Sequence, residues 1–474
     1  MTDHSVNLKD GDEIEITSEK KSEEVSALLG LQDDDIAKIL EALDERDGTT
    51  LNSLFEELGV YDKADLLEKI NADQRQEFLK LYDDLFEAEV FSYLQEDIRK
   101  DILEGMGAYQ IANIISELDS DDALDLILPL DDEFKQEIIR KLSAKTRIIL
   151  EEGLNFPEES AGRLMQREFV AVPQFWTVGK TIDYLRAAGD SLPDDFYDII
   201  VIDPSYHVVG EIPLSQLIRS KRSEKIEDLS LDDTHPIPAT MDQEEVAEIF
   251  RNEDISSAPV VDEDGRLIGI ITHDDVIDVI DEEAQEDMLK LGGVEEDDLY
   301  SSILQTTSSR FRWLFVNLLT AILAAVVISF FEATIEQIVA LAVLMPIVAG
   351  MGGNAGTQAL TVAVRALATK EISSTNAWRV IGKETAVGLL NGILFAIIIG
   401  VVAALWFNDP KLGGVIGAAM VTNLIVAGFF GASVPIILDR MGTDPAIASA
   451  VFLTTMTDVI GFFVFLGLAS IILL

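Results

Sequence analysis

The sequence has no cysteine and only four histidines among its 474 residues. Without cysteine the chain can form neither disulfides nor thiolate metal sites, and the scattered histidines do not predict a shared site; they are His4, His207, His235 and His273. A zinc or copper site is therefore not expected, and a bound metal should be an oxygen-preferring ion such as Mg²⁺ or Ca²⁺. We also find no phosphate-binding loop and no pair of nucleophile and base, so an enzyme is the least expected class.

Basic residues are scarce, with 35 Lys and Arg against 85 Asp and Glu and a net charge of −50. Eight residues of each sign follow residue 300, so the first 300 residues hold 77 acidic and 27 basic residues and carry the whole net charge. This charge would repel nucleic acid and attract cations, although many acidic faces are only solvated. The sequence predicts an acidic soluble half joined to a neutral, apolar half.

The N-terminal part of the chain is polar and then helical. Residues 1–22 are predicted to be disordered, and since they contain no apolar stretch we expect no cleavable signal peptide and a cytoplasmic soluble half. Residues 23–157 carry apolar residues at three- and four-residue spacing, with Asp-rich turns that can cap the next helix. This pattern predicts an acidic, all-α superhelical N-domain, which on its own would be an interaction module.

Residues 158–280 contain an internal repeat. The segments 201–218 and 260–277 align without gaps, each reading as a strand, a turn, a second strand and a helix start. This resembles a tandem pair of CBS domains (158–225 and 226–280), an α/β family that senses ligands. The resemblance implies that a nucleotide such as ATP binds at Thr272 and Asp275 of the second copy, where the first copy has Pro213 and Gln216. The alternative is a purely structural turn.

The segment 281–308 is predicted to be an acidic connecting helix. Between residues 281 and 298 it has nine acids and one lysine, and a helix would place Glu283, Glu286 and Asp287 on one face. Asp275 and Asp278 lie just upstream, so we expect this cluster to bind divalent cations. A solvated charged face is the alternative.

Residues 309–474 are predicted to form a five-helix transmembrane domain. The five apolar stretches long enough to cross a bilayer are Trp313–Phe331, Gln337–Val364, Thr385–Asn408, Leu412–Leu438 and Pro445–Leu474. Basic residues are concentrated in the loops on one side, so the positive-inside rule predicts a multi-pass protein of the cytoplasmic membrane with the C-terminus outside.

Two of these stretches contain polar residues with a possible function. In the second, Pro346 and a cluster of glycines predict a broken helix, with Asn354 and Gln358 facing a pore; close packing through the glycines is the alternative. In the last, Asp458 is the one charged residue, and an acid at mid-membrane is a functional hypothesis by default. Its alternative role is a protonated side chain hydrogen-bonded to a neighbouring helix.

Four motifs give the chain a resemblance over nearly its whole length. They are P-x-x-x-G-M-G-G-N-x-G-x-Q at 346–358, R-A-L-A-T at 365–369, D-P-A at 444–446 and T-T-x-x-D-x-x-G-F at 454–462. Together with the domain order they resemble the MgtE family of magnesium channels, which work as homodimers. The resemblance implies that Asp458 binds Mg²⁺ in the pore with Thr454 and Gly461 nearby. It also implies regulatory metal ligands at Glu89, Asp121, Glu244, Asp254, Asp275, Asp278, Glu283, Glu286, Asp287 and Asp444.

The functional hypothesis is a homodimeric channel in the lipid bilayer that imports Mg²⁺ and closes when cytoplasmic Mg²⁺ binds the acidic domains. Two alternatives stay open at this stage: a CBS-regulated exchanger that exports divalent cations, and a membrane-anchored cation sensor that does not conduct.

Overall fold

The structure is a computed structural model that describes residues 31–193, 196–229, 234–294, 303–373 and 375–474. The predicted disorder at 1–22 and the acids at 295–298 lie outside these residues. The chain divides into two compact units, residues 1–281 and 282–474.

The N-terminal part of the first unit is a stack of short helices around one apolar core. Apolar positions three and four residues apart place side chains such as Leu43, Phe55, Phe78, Leu103 and Ile127 inside it. The helices are α1 Asp33–Asp44, α2 Gly48–Phe55, α3 Val60–Lys69, α4 Ala72–Leu81, α5 Glu96–Gly105, α6 Ala108–Ile115, α7 Ser120–Ile127, α8 Asp132–Ile139 and α9 Ala144–Leu154. The predicted helical N-domain is confirmed over the residues that the structure describes.

Two three-stranded sheets of identical topology follow the helical stack. In each, the first strand pairs in parallel with the second, and the second pairs antiparallel with the third. The elements are α10 Ala161–Leu164, β1 Ala171–Pro173, α11 Val178–Ala188, β2 Asp198–Ile202, β3 Val208–Pro213, α12 Leu214–Arg219, β4 Ile237–Pro238, α13 Gln243–Glu253, β5 Ser257–Val261, β6 Leu267–Thr272 and α14 His273–Gly292. The predicted repeat is confirmed. Each copy also has a preceding strand, β1 or β4, that the repeat did not predict and that pairs in parallel with the next strand.

The repeated glycine of the two copies has the same place in both sheets. Gly210 pairs with Val201 and Gly269 pairs with Val260, each beside a shift in strand register. A Cβ added to Gly269 would lie 2.8 Å from the carbonyl oxygen of Gln166. The close approach of a second backbone therefore requires glycine at this position of the second copy.

The second unit contains five helices long and apolar enough to cross a membrane, which confirms the five predicted spans. They are α15 Ile303–Ser329, α17 Ala340–Ala368, α18 Ala377–Phe407, α19 Pro410–Arg440 and α20 Pro445–Ile472, and a short helix that the sequence did not predict, α16 Glu332–Gln337, precedes α17. In the most apolar 18 residues of each helix, half of α19 is buried but only 6% of α15. Helix α19 is therefore central, and α15 presents its surface to the surroundings.

A seam of glycines joins α18 to α19 through their backbones. A Cβ at Gly428 of α19 would lie 2.5 Å from the carbonyl oxygen of Glu384 in α18. A Cβ at Gly388 would overlap the carbonyl of Leu424, and Gly400 and Gly413 meet in the same way. Small residues of this kind allow the backbones of membrane helices to approach closely.

The predicted break in the second span is wrong, because α17 is continuous from Ala340 to Ala368 and contains Pro346. Its glycines serve packing instead, since a Cβ at Gly352 would collide with Asn423, and one at Gly356 would lie 2.7 Å from a methyl carbon of Leu453. Neighbouring helices that exclude water remove the competitor for backbone hydrogen bonds, so the helix persists through residues that would break it in water.

Candidate ion path and cation sites

Asp458 lies at the middle of α20, one of the two most buried membrane helices. Its residue is partly buried, and among the described residues nothing donates a hydrogen bond to its carboxylate or forms an ion pair with it. The alternative of a protonated Asp458 bonded to a neighbouring helix therefore has no partner in the part of the chain that the structure describes. An intramembrane acid without an internal partner is suited to bind an ion or to face a second subunit.

The two residues predicted to accompany Asp458 have different surroundings. Thr454, one turn before it, is exposed, and its hydroxyl donates to the carbonyl oxygen of Ala450 at 2.9 Å. Gly461, one turn after it, is buried where a Cβ would lie 2.9 Å from the amide nitrogen of Asn423. Gly461 therefore has a packing role, whereas the surface around Thr454 is open to an ion or a partner.

Asn354 and Gln358 are both exposed on α17, on a face that no other helix covers among the residues that the structure describes. Their i, i+4 spacing places the two amides side by side. Helix α17 packs on α20 on its opposite side, through Gly356 and Leu453. Two polar side chains on an uncovered face of a membrane helix predict a pore or a subunit interface there.

Asp444 connects the start of α20 to the end of α14. One of its carboxylate oxygens accepts the backbone N–H of Ala446 at 2.7 Å and so caps α20, and the other lies 2.7 Å from Nζ of Lys290. Lys290 also pairs with Glu286 one turn before it. The two predicted metal ligands Glu286 and Asp444 are thus brought together, but around a lysine ammonium of the same chain.

Charge around this ion pair alters the ionisation of its members. Burial opposes the charged form of Lys290, but hydrogen bonds to Asp444 and Glu286 outweigh it and raise the pKa of the lysine. Burial, followed by the charge of Asp444, raises the pKa of Asp287 to about 6, with Glu283 adding to the effect. This group has more negative than positive charge and would be stabilised by a further cation.

A second acidic group lies within the first unit, between α7 and α14. The Asp275 carboxylate accepts a hydrogen bond from Asp121, and its own helix start adds bonds from the hydroxyl of Thr272 (2.7 Å) and the Thr272 backbone N–H (3.1 Å). Burial raises the pKa of Asp275 to about 6, and burial and then the Asp275 charge raise the pKa of Asp122 to about 7 and that of Asp121 well above its ordinary value. Such a cluster holds protons or cations to limit its repulsion.

The other predicted regulatory acids are more peripheral. Glu89 and Asp278 are exposed beside this cluster. Burial raises the pKa of Tyr93, and the charges of Asp122, Asp278 and Glu89 raise it further. Glu244 is exposed in the first turn of α13, and Asp254 ends that helix in a left-handed conformation with φ of 52°. Across the described ranges, no three Asp, Glu or His side chains are already arranged to hold a metal ion.

A cavity of about 610 Å³ lies between the two CBS copies, and Asp254 contributes to its wall. Its polar lining also includes Tyr197, Asp198 and Glu211, whereas Thr272 and Asp275 lie outside it. Burial, and then the charge of Asp198, raises the pKa of Glu211 to about 7. The cavity therefore lies between the two copies rather than at the predicted Thr272 and Asp275.

Three family models match successive parts of the chain. A divalent cation transporter model (MgtE) matches residues 345–468, the MgtE intracellular N domain matches 58–159, and a CBS domain model matches 226–282. The magnesium transporter MgtE of Enterococcus faecalis is 37% identical over 440 residues, which cover 92% of this chain and 97% of that protein. The chain belongs to the MgtE family of magnesium transporters.

Other members of the MgtE family and a solved structure are also similar. The magnesium transporter MgtE of Thermus thermophilus is 36% identical over 332 residues, or 69% of this chain and 73% of that protein. The crystal structure of the soluble part of a magnesium transporter is 31% identical, with a TM-score of 0.47, and covers 53% of this chain and 98% of that one. Membership of the MgtE family supports Mg²⁺ transport and confirms the expectation that the chain is not an enzyme.

Three residues of the candidate sites are not predicted from the sequence. In the sequence, Lys290 stands out only as the lone base in an acidic run, and no pattern distinguishes Asp122 from the neighbouring Asp121. Asn423 lies inside the fourth apolar stretch, where it is fully buried. The one available signal for Asn423 was an amide in the middle of a predicted membrane span, which is uncommon without a partner.

Proposed function

We propose that this protein is a homodimeric channel of the cytoplasmic membrane that imports Mg²⁺, with its acidic first unit in the cytoplasm and its C-terminus outside. The observation that carries the proposal is the partly buried Asp458 carboxylate, which has no hydrogen bond or ion pair with any described residue. Mg²⁺ releases its waters reluctantly, so a hydrated ion between two such carboxylates on a two-fold axis would bind and still be released.

Transport by purified protein in liposomes tests the ion path. Asp458→Asn removes the charge with little change in volume, so we expect it to abolish Mg²⁺ uptake while the protein still assembles. Asp439→Asn is the matched control, because Asp439 is an exposed acid in the last turn of α19. Wild-type uptake by a folded Asp458→Asn protein would refute the assignment of this residue to the ion path.

Mg²⁺ bound to the acidic groups is proposed to close the channel. At 4 Å and an effective dielectric constant of about 20, two carboxylates repel by ~4 kcal/mol, and a divalent cation between them reverses the sign of the interaction. The Asp121, Asp122 and Asp275 group supports this idea, because burial raises the pKa of all three carboxyls and the charge of Asp275 raises those of Asp121 and Asp122 further. Low cytoplasmic Mg²⁺ would then leave the repulsion uncompensated and favour the open state.

Flux measured against the Mg²⁺ concentration on the side of the first unit tests this regulation. We expect Asp275→Ala to need a higher Mg²⁺ concentration for closure, while its maximal flux is unchanged. If flux in the wild type requires a Na⁺ or H⁺ gradient, the exchanger alternative is correct. If liposomes show no flux at all under any gradient, the protein is a sensor.

ATP is proposed to bind in the cavity between the CBS copies. Asp198 and Glu211 offer acceptors for ribose hydroxyls there, and Tyr197 offers an aromatic edge. Glu211→Gln keeps the size of the side chain but removes an acceptor, so ATP binding measured by calorimetry should weaken. Unchanged affinity would place the nucleotide elsewhere, with Thr272 as the next position to test.

A further inference from the structure

Asn423 is a fully buried amide at a junction of three membrane helices. It belongs to α19, and its side-chain nitrogen donates to the carbonyl oxygen of Val348 in α17 at 2.8 Å. Because Val348 offers only an acceptor, this bond fixes which end of the amide is the nitrogen. The side-chain oxygen has no hydrogen-bond partner within the described residues.

Two glycines make the space for this amide. A Cβ at Gly461 of α20 would lie 2.9 Å from the Asn423 nitrogen and 3.0 Å from its oxygen, and a Cβ at Gly352 of α17 would come closer still to the nitrogen. Any other residue at either position would therefore collide with Asn423. In place of side chains, the Cα–H groups of the glycines face the amide, a contact that recurs where helices pack closely.

The contacts of Asn423 with its two neighbours differ in kind. The amide is hydrogen-bonded to α17, whereas it meets α20 at the backbone of Gly461. At this point the position of α20 is therefore determined by steric contact, and the size of the residue at position 423 sets how closely α20 can approach. Gly461 follows Asp458 by three residues, less than one helical turn, so a displacement at Gly461 moves Asp458 with it.

A buried oxygen without a hydrogen bond costs free energy in a membrane, and an apolar residue that filled this space would avoid that cost. We propose that Asn423 is a positioning residue for ion transport: it fixes α20 against α17 and thereby sets the place of Asp458 in the ion path. The inference rests on the proposed role of Asp458, and it assigns Asn423 no direct contact with the ion.

Transport kinetics test the inference first. Asn423→Leu keeps the number and branching of the side-chain heavy atoms, but it is bulkier and cannot donate a hydrogen bond to Val348, so it should displace α20. Since misplacing a reacting group by about 1 Å can cost ~100-fold in an enzyme, we expect apparent Mg²⁺ affinity to fall about tenfold. A purely structural role predicts less folded protein but an unchanged affinity per folded molecule. Folded Asn423→Leu protein with wild-type Mg²⁺ affinity and maximal flux would overturn the proposal.

A size-compensation experiment covers the case in which Asn423→Leu does not fold. Gly461→Ala should lose transport through its collision with the amide, and Asn423→Ala in the same chain should restore part of it by making room. Gly414→Ala is the matched control, because a Cβ at Gly414 meets nothing within 4 Å. Losses that simply add in the double variant would show that the two positions do not share this contact, against the proposal.

A geometric readout separates this inference from the proposed function. The chain has no cysteine, so Thr454→Cys introduces a single thiol on the exposed surface of α20. Adding Asn423→Leu should change the rate at which a water-soluble thiol reagent modifies this cysteine by several-fold, whether or not Asp458 binds Mg²⁺. An unchanged rate contradicts the positioning role, whereas full transport by Asp458→Asn contradicts the ion path alone.

Discussion

Replacing Asp122 by Asn should stabilise the contact between α7 and α14 at alkaline pH and have little effect in acid. The pKa of Asp122 is raised from 3.8 to about 7, first by burial and then by the charges of Asp275 and its acidic neighbours. Because the folded protein holds this proton more tightly than the unfolded chain does, stability falls as the pH rises from 3.8 to about 7 and stays low above that range. Asn carries no charge at any of these pH values.

The magnitude follows from the same pKa. At about 1.4 kcal/mol per pKa unit, a change from 3.8 to about 7 corresponds to ~4 kcal/mol. Asp122 is partly exposed, so solvent screening reduces this value, and we expect about 2 kcal/mol. This amount is a large fraction of the free energy of unfolding of an ordinary domain.

Amide hydrogen exchange in the full-length, metal-free protein measures the effect. Protection of α7 and α14, corrected for the intrinsic rate at each pH, should increase in Asp122→Asn at about pH 8 and match the wild type near pH 4. Glu117→Gln, at an exposed acid just after α6, is the control and should change neither value. Lower protection of Asp122→Asn at pH 8, or an equal gain at both pH values, would refute the reasoning.

Three further predictions concern the ion pair, the glycine seam and the cavity. Lys290→Met removes the ammonium between Glu286 and Asp444, so exchange protection near residue 290 should fall by about 1–2 kcal/mol in the absence of metal, and Lys290→Arg should retain it. Gly428→Ala forces a methyl group against the Glu384 carbonyl and should lower the free energy of unfolding by about 1–3 kcal/mol in thermal or chemical denaturation. Glu211, with a pKa of about 7, should make the first unit less stable as the pH rises from 4.5 to about 7, and Glu211→Gln should weaken this dependence in a series of melting curves.

The elements of this fold could be predicted from the sequence because their signals are local. Membrane helices need only a long apolar stretch, and the CBS repeat needs only the alternation and spacing around Gly210 and Gly269. The predicted break at Pro346 failed because propensities measured in water do not describe a helix enclosed by others. Whether α17 can contain Pro346 without a break therefore depends on the helices packed around it, and no local sequence pattern specifies those.

The candidate sites were only partly predictable, because their geometry depends on pairs far apart in the chain. Asp121 and Asp275 are each expected as regulatory ligands from the resemblance, but no sequence pattern places them, or Asp122, beside one another, because that depends on the packing of a short helix against α14. The Lys290 contact with Asp444 joins residues more than 150 positions apart. Spacing rules describe neighbours within one helix or strand and contain no information on such pairs.

The glycine seam between α18 and α19 also limits which parts of the membrane unit can move. Where backbone meets backbone at Gly388, Gly400 and Gly428, there is no layer of side chains that could change rotamer and absorb a displacement. Helices α18 and α19 should therefore move as one rigid unit. Conformational change should be confined to the helices that pack on their neighbours through side chains. The pair should also accept mutations on its outer face only, so that natural variation in this pair is expected to avoid the seam.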